Sequence, residues 1–476
     1  MKFPRVTLTF LLFCTAAAVA QSLPPAVAEA FVKANVPLEN VAVVVKEIGS
    51  KDAVLTMNAG KSMNPASVIK LVTTYAGLEL LGPAYTWRTE VSSVGEIRNG
   101  ILYGDLALKG FGDPKLTVER FTALVAQLRE RGLGDIRGDL ILDRTFFEQV
   151  PYDASAFDGE ALRAYNVGPD PLLLNFKTVR FFFASTLDDK SVAISPDVKP
   201  AQLEIINRVK LIDAPCGDWR ERIKLDLQEI NPTRLKATFT GNFPRSCGER
   251  VWNVSLLDHA RFIGGVFASL WRSVGGKWEG AVKLMRTPAK AKLIATSESP
   301  PLADAVRDIN KFSNNVMARQ LFLTLSAEAW VGNIKEPGNA SRSTQIIKEW
   351  LAKKDIAAPE LVLENGSGLS RNERISAATL AQILDAAWRS SVMPEFMSSM
   401  SLLGLDGTMR RRGKGESIAG QAHVKTGTLN DARAIAGYVL DQRGRRWIVV
   451  MMANHSNAVQ TQAAQDALIN WVYSRP

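Results

Sequence analysis

A serine hydroxyl is a weak nucleophile at neutral pH and attacks a carbonyl only with a base in hydrogen-bond reach. Ser67 and Lys70 offer that pairing within Asn64-Pro65-Ala66-Ser67-Val68-Ile69-Lys70. Three residues apart on a helix, they stand one turn above each other on the same side. Such a lysine serves as base when burial or a neighbouring cation lowers its pKa. Ser-x-x-Lys alone is a weak signal: it recurs by chance about once or twice in a chain this long, and most such lysines are solvated. Two later stretches add to it. Phe312-Ser313-Asn314-Asn315 lies between two helical patterns, where a short loop presents polar side chains to a cleft. His423-Val424-Lys425-Thr426-Gly427-Thr428 lies on a strand pattern, where Lys425 and Thr426 suit a substrate carboxylate and Gly427 lets a substrate backbone approach. Each stretch is weak singly; the three in this order are a strong signal together.

Other chemistries are poorly supported. The three histidines, His259, His423 and His455, show no metal-ligand spacing, and His423 reads as structural. Gly366-Ser367-Gly368 is too short for the Gly-x-Ser-x-Gly elbow of a Ser-His-Asp enzyme and reads as a turn lining the cleft. Asp113 and Asp143 sit beside strand ends and read as turn formers.

Two sets of elements must position these residues. Asn64 as cap, Pro65 at the first turn and Ile69, Val72, Ala76 and Leu80 on one face predict a helix that stops at Gly82-Pro83. Val41–Ile48 and Ala53–Met57 precede it as strands. At the other end, Gly420–Thr428, Arg433–Leu440 and Arg446–Ala453 read as three strands, the last two joined at Asp441-Gln442-Arg443-Gly444. A helix over Val459–Tyr473 follows. These strands could join the N-terminal pair in one sheet covered by helices, so that the chain begins and ends in the same domain. Helical patterns cover Leu302–Lys311, Asn314–Ser326, Ser343–Lys353 and Ser376–Ser390.

From Trp87 to about Arg286 the pattern changes to short strands and turns, with helices at Leu116–Arg131 and Asp258–Val274. Strand candidates include Thr89–Val94 and Ile101–Lys109, with a turn at Asn99-Gly100 between them, then Asp139–Leu142, Phe176–Ala184, Leu203–Ile212 and Arg234–Gly241. Residues 87–286 therefore read as an insertion, one or two subdomains, within a unit formed by 21–86 and 287–476.

The chain has 476 residues, 46% hydrophobic and 22% charged, an ordinary globular composition. Lys2 and Arg5, the apolar run Leu8–Val19 and the small residues Ala18-Val19-Ala20 read as a signal peptide over 1–20, cleaved after Ala20. No later segment has the length and apolarity of a membrane span. The formal net charge of +10 includes Lys2 and Arg5, which the cleavage removes. A basic surface suits an anionic wall polymer or lipid head groups, and equally suits simple solubility. No dense Lys/Arg tract with interleaved aromatics appears, which argues against nucleic acid. Cys14 leaves with the signal peptide, and Cys216 and Cys247 remain. An even pair in an exported protein predicts one disulfide, closing a loop of about 30 residues; two unpaired thiols are the alternative.

On Ser67/Lys70, Ser313/Asn315 and Lys425-Thr426-Gly427 the sequence resembles the active-site-serine penicillin-binding proteins and serine β-lactamases. It is most similar to the class C low-molecular-mass penicillin-binding proteins, the D-alanyl-D-alanine carboxypeptidase/endopeptidases. That class inserts extra domains between Ser-x-x-Lys and Ser-x-Asn, as in the interval from Ser67 to Ser313, whereas class A β-lactamases keep the motifs close. Asn365 to Arg371 (NGSGLSR) and Gly404 to Arg412 (GLDGTMRRR) also resemble the family. Two positions depart from it: Asn314 stands where Asp is frequent, and Thr428 follows Lys-Thr-Gly.

The resemblance implies an α/β (α+β) fold, the β-lactamase/transpeptidase-like domain with its antiparallel sheet covered by helices and interrupted by the strand-rich insertion. It implies that Ser67 forms an acyl-enzyme with Lys70 as base. Ser313 and Asn315 relay protons and hold the substrate amide, Lys425 adds positive charge, and Thr426 and Thr428 bind the terminal carboxylate beside Gly427. The N–H groups of Ser67 and Thr428 form the oxyanion hole. Two nearby lysines favour a neutral Lys70. An acidic group of the insertion is expected at the substrate's free amino end, with Asp158 or Glu160 as candidates.

The expected activity is hydrolysis, in the periplasm, of D-Ala-D-Ala or of D-Ala–meso-diaminopimelate cross-links in peptidoglycan stem peptides. No metal or cofactor is expected, and β-lactam antibiotics act as covalent inhibitors. No transmembrane anchor is expected, which leaves room for peripheral contact with membrane or wall. Two alternatives stay open. A β-lactamase needs a deacylating base, for which no placed glutamate is evident. A non-catalytic wall-binding protein of the same fold has no need of all five polar residues.

Overall fold

The computed structural model describes residues 22–331 and 334–475; the signal peptide expected over 1–20 lies outside them. Its central sheet is made from both ends of the chain. Six strands lie in the order Ser401–Leu402, Ala422–Leu429, Ala432–Leu440, Arg446–Asn454, Val41–Glu47, Ala53–Met57. Every neighbouring pair is antiparallel. Val41 to Val45 are all buried because both faces of the sheet are covered, which explains an unbroken apolar run where a one-sided strand would alternate.

On one face, Ala42, Val44, Ala436, Tyr438, Val450 and Met452 pack against a layer of helices. These include Lys70–Leu81, Leu302–Phe312, Asn315–Glu328, Ala340–Ala352 and Ala377–Trp388. On the other face, Val43, Val45, Ile435, Val449 and Met451 pack against Pro25–Lys33 and Gln462–Tyr473. The helix Pro25–Lys33 is additional to the expected elements. It buries Val27 and Phe31; it lacks a polar N-cap, and Pro25 at its first position is its one start signal.

The expected nucleophile helix divides in two. Ala66–Ile69 is one turn of 3-10 helix, and the α-helix runs from Lys70 to Leu81. Lys70 to Leu78 are all buried, so this helix is wrapped on every side and its apolar face is no narrow stripe. Leu80, expected on that face, is 42% exposed because the last turn emerges from the layer. Gly82, at φ 86°, ends the helix where a side chain would be strained.

The intervening segment carries its own core. Buried apolar residues from Val91 to Ala295 form one connected cluster. A seven-stranded sheet starts with the hairpin Arg88–Arg98 and Ile101–Gly110, turned by Asn99 and Gly100 at φ 48° and 76°. Lys292–Glu298 pairs with Arg88–Arg98, so this sheet runs past residue 286. Two three-stranded sheets pack on the same core: Ile223–Asn231, Arg234–Pro244 and Leu203–Ile212, and Arg250–Val254, Val179–Ser185 and Val192–Pro196. Ile223–Asn231 is a strand additional to those expected, although Ile223 to Gln228 alternate apolar and polar; more than half of it faces solvent. Cys216 and Cys247 are joined in a disulfide. Asp113 and Asp143 accept the N–H of the residue two further on, as turn formers do.

Candidate active site

The turn carrying Ser67 is pinned from several directions. Asn64 Oδ1 accepts the N–H of Ala66 at 2.9 Å, an Asx-turn leading into the 3-10 turn, whose N-cap position is taken by Pro65 and not by Asn64 as expected. Asn454 accepts the N–H of Asn64 at 2.7 Å and donates to its carbonyl at 2.9 Å. Asn64 Nδ2 donates to the Ser370 carbonyl at 3.0 Å. Ala66 is thereby held at φ 46°, a left-handed conformation that costs a non-glycine residue about 1–2 kcal/mol. Strained backbone of this kind persists only where surrounding contacts over-determine it.

Lys70 is fully buried, and its Nζ lies 2.9 Å from Ser67 Oγ and 2.7 Å from Asn315 Oδ1. It also meets the Ser367 carbonyl in a short contact. Burial pushes its pKa well below the ordinary lysine range; the cations Lys425 and Arg319 push the same way, and the Glu373 carboxylate opposes them. A neutral amine has two N–H bonds and one lone pair. Asn315 Oδ1 and the Ser367 carbonyl can only accept, so they take the two N–H bonds, and the lone pair is left for the Ser67 hydroxyl.

Ser313 sits at φ 55° between the helices Leu302–Phe312 and Asn315–Glu328. Lys425 Nζ donates to Ser313 Oγ at 2.8 Å and to the Thr426 carbonyl at 2.7 Å. Lys425 is also fully buried, and burial pushes its pKa down to about 7. Thr426 leaves the strand on the opposite face, where its hydroxyl lies 2.8 Å from that of Thr408. Thr428 is exposed on that face. At Gly427 the strand also comes up against the protein's own backbone. A Cβ there would lie 2.6 Å from the Pro65 carbonyl oxygen and 2.8 Å from Ser67 N, so the missing side chain lets strand and nucleophile turn touch.

The structure thus clusters these residues as two hydrogen-bonded groups, Ser67, Lys70 and Asn315 in one and Ser313 and Lys425 in the other, close enough for the Lys425 charge to act on Lys70, with Thr426, Gly427 and Thr428 on the strand that carries Lys425. It adds groups that sequence patterns did not single out. The insertion reaches the cluster through the Tyr165 carbonyl, which accepts from Asn315 Nδ2 at 3.2 Å. A cavity of about 660 Å³ lies alongside, walled by Tyr152, Asp153, Phe157, Arg319, Leu369 and Arg371 among others. Phe157 and Leu369 pack on Ala66, next to the nucleophile. Asp153, not Asp158 or Glu160, stands on that wall. Asp158 is taken up by Asn166 and Tyr165, at 2.7 and 2.9 Å, and Glu160 pairs with Arg163. Among the described residues no cluster of three potential metal ligands occurs.

An antiparallel sheet between helical layers, with a serine and lysine facing a second serine and lysine across a cleft, is the arrangement of the β-lactamase and transpeptidase-like serine hydrolases. Residues 23–474 match the D-Ala-D-Ala carboxypeptidase 3 (S13) family, and the chain belongs to that family. It is 24% identical to the D-alanyl-D-alanine carboxypeptidase DacB of Haemophilus influenzae, covering 87% of this chain and 85% of the relative. It is 26% identical to a D-alanyl-D-alanine carboxypeptidase of an Actinomadura species, covering 90% and 80%. The crystal structure of penicillin binding protein 4 from Haemophilus influenzae superposes with a TM-score of 0.74 at 24% identity, over 94% of this chain and 99% of that one. A predatory endopeptidase from Bdellovibrio bacteriovorus, solved acylated by penicillin G, superposes with a TM-score of 0.51 at 15% identity, over 91% of each chain. These structural likenesses establish the fold.

Proposed function

We propose that this chain is an exported serine DD-peptidase that cleaves peptidoglycan stem peptides after a D-alanine. The observation that carries the reading is the Lys70 amine, buried, held by two acceptors and aimed at Ser67 Oγ. Ser67 Oγ attacks the carbonyl between two D-alanines and gives its proton to Lys70 Nζ. The tetrahedral oxyanion sits between the N–H groups of Ser67 and Thr428, each such donor being worth about 3 kcal/mol. As the C–N bond breaks, Lys70 passes that proton to the leaving amine through Ser313, which Lys425 holds. Water then attacks the ester and gives a proton to Lys70, which returns it to Ser67 Oγ as the C–O bond breaks. Lys425, Thr426 and Thr428 hold the terminal carboxylate, and Asn315 holds the substrate amide.

The leaving group is free D-alanine in a carboxypeptidase reaction or the cross-linked meso-diaminopimelate in an endopeptidase reaction; one serine serves both. The names of the carboxypeptidase relatives and of the endopeptidase structure are in keeping with these two outcomes. The two-unit division of the chain, the cleaved signal peptide and a periplasmic location belong to the same proposal. No helix among the described residues is long and apolar enough to cross a membrane.

Labelled penicillin tests the reading. A long-lived adduct on the purified protein, abolished by Ser67→Ala, supports it. Rapid turnover of the adduct would make the protein a β-lactamase, and no adduct would make it a non-catalytic wall binder. Digestion of cross-linked peptidoglycan beside a free pentapeptide then separates endopeptidase from carboxypeptidase.

A further inference from the structure

One buried carboxylate close to this cluster has no part in the steps above. Glu373 is fully buried, and its oxygens accept four backbone N–H groups. Oε1 takes those of Glu364, Asn365 and Gly366 at 3.2, 3.0 and 2.8 Å, and Oε2 takes that of Gly368 at 2.8 Å. The loop is closed by a pair of backbone hydrogen bonds between Val362 and Arg374, each 3.0 Å, and the Glu373 carboxylate fills its centre. All four partners are donors, which favours the ionised, acceptor-only carboxylate and opposes the upward push of burial on its pKa.

Three carbonyls of the same loop land on the nucleophile element. The Ser370 carbonyl accepts from Asn64 Nδ2 at 3.0 Å, the Gly366 carbonyl from Thr73 Oγ1 at 2.7 Å, and the Ser367 carbonyl from Lys70 Nζ. The loop presses backbone on backbone here: a Cβ at Gly368 would lie 2.1 Å from the Ala66 carbonyl oxygen. The Ser367 C=O and the Gly368 N–H belong to one peptide plane and, in a trans peptide, point in opposite directions. Fixing the N–H on Glu373 Oε2 therefore fixes the carbonyl on Lys70.

We infer that Glu373 is a positioning residue for acylation: by holding the Ser367–Gly368 peptide it keeps the Ser367 carbonyl on one N–H of Lys70 and so leaves the amine lone pair aimed at Ser67. This rests on the DD-peptidase reading above. Glu373 also acts at a distance. The charged groups around Lys70 are the cations Lys425 and Arg319 and the single anion Glu373, which favours the protonated amine. Removing that anion makes Lys70 easier to deprotonate.

The test is the second-order rate of penicillin acylation from acid to neutral pH in the wild type, Glu373→Gln and Glu373→Asp, with thermal melting of each. Glutamine must turn a donor toward either Gly368 N–H or the three N–H groups of residues 364–366, so the peptide plane rotates. The Glu373→Gln rate is expected to fall about tenfold to a hundredfold at neutral pH. Its acidic limb is expected to move to lower pH by about half a unit or more, the direction for loss of an anion beside a lysine. Glu373→Asp keeps the charge, so its limb stays at the wild-type position while its rate falls. An unchanged rate and limb in Glu373→Gln overturns the inference. So does an equal rate loss in both variants with no limb shift, or loss of the cooperative melt in both, since each describes a purely architectural carboxylate. Wild-type protein that forms no adduct sinks the DD-peptidase reading itself, a separate result.

Discussion

A lysine acts as a base only through a lone pair pointed at the proton it removes. At Lys70 burial supplies the neutral amine, and two acceptors supply its direction. Lys70→Arg keeps the N–H donors but carries a fixed positive charge and has no basic lone pair at any working pH. Acylation by labelled penicillin is expected to drop about 10²–10⁴-fold, with the folded protein retained by circular dichroism; labelling at the wild-type rate would remove Lys70 from the mechanism. Lys425 gives the pH dependence. On the acidic side kcat/KM climbs as Lys70 sheds its proton. For a substrate bearing a terminal carboxylate it falls again as pH rises through about 7, where Lys425 loses its charge. An ester substrate without that carboxylate should lack the alkaline decline, and equal declines for both would place the effect elsewhere. The side chains of this site were legible in the sequence because spacing of three puts Ser67 and Lys70 on one side of a helix. The Ser367 and Tyr165 carbonyls were not, since every residue carries a carbonyl and nothing in a side chain marks which one is aimed.

At the scale of elements, the site is the seam between a turn and a strand. The Ala422–Leu429 strand approaches the Ser67 turn closely only because residue 427 has no side chain. Gly427→Ala would set a methyl against the backbone at Pro65 and Ser67, neither of which yields cheaply, and part the two oxyanion donors. Acylation should fall about 10²–10³-fold, and Tm should fall as well, because overpacking against fixed backbone costs about 1–3 kcal/mol even though the strand keeps its ladder to Ala432–Leu440. A stopped-flow acylation rate beside a melting curve checks both halves. The strands at the two chain ends were legible from unbroken apolar runs and from the hairpin turn between Leu440 and Arg446. The nucleophile helix was legible in extent, but its face was not. Leu80 fits a helical repeat yet emerges at the surface, because the number of helices wrapping a segment is decided by layers far along the chain. Pro25–Lys33 went unseen for the converse reason: its amphipathic run is short and lacks a capping side chain.

At the scale of the molecule, parts of the chain with separate cores meet at the site. The insertion's core is separate from those on the two faces of the central sheet. Its segment 165–170 nevertheless docks on the helix Asn315–Glu328. Asn315 donates to the Tyr165 carbonyl, Arg319 to the Val167 carbonyl at 3.1 Å, and Gln320 to the Asp170 carbonyl at 2.8 Å. The insertion thus holds Asn315, which in turn holds Lys70. The disulfide lies within the insertion's core and spans a sequence separation of 31. Replacing both Cys216 and Cys247 with Ser should cost about 3 kcal/mol. It should lower the calorimetric transition of the insertion while penicillin labelling at 25 °C is kept. Labelling lost together with the disulfide would mean that the insertion's stability and the site are one cooperative unit.

The sequence by itself determined the chemistry on offer: a serine and lysine one turn apart, a second serine and asparagine between helices, and a lysine on a terminal strand. It also marked the strands at the two chain ends and the longer helices between them, because side-chain periodicity records how such elements meet a core, while the helix Pro25–Lys33 and the strand Ile223–Asn231 escaped it. Only the tertiary structure decided that Lys70 is sealed from water, that Ser367 and Asn315 aim it, that Glu373 fixes the loop behind it, and that Asp153 rather than Asp158 or Glu160 walls the cavity. Those outcomes depend on distance and dielectric, and on backbone groups identical at every residue. They came into being only when segments far apart in the chain were packed against one another.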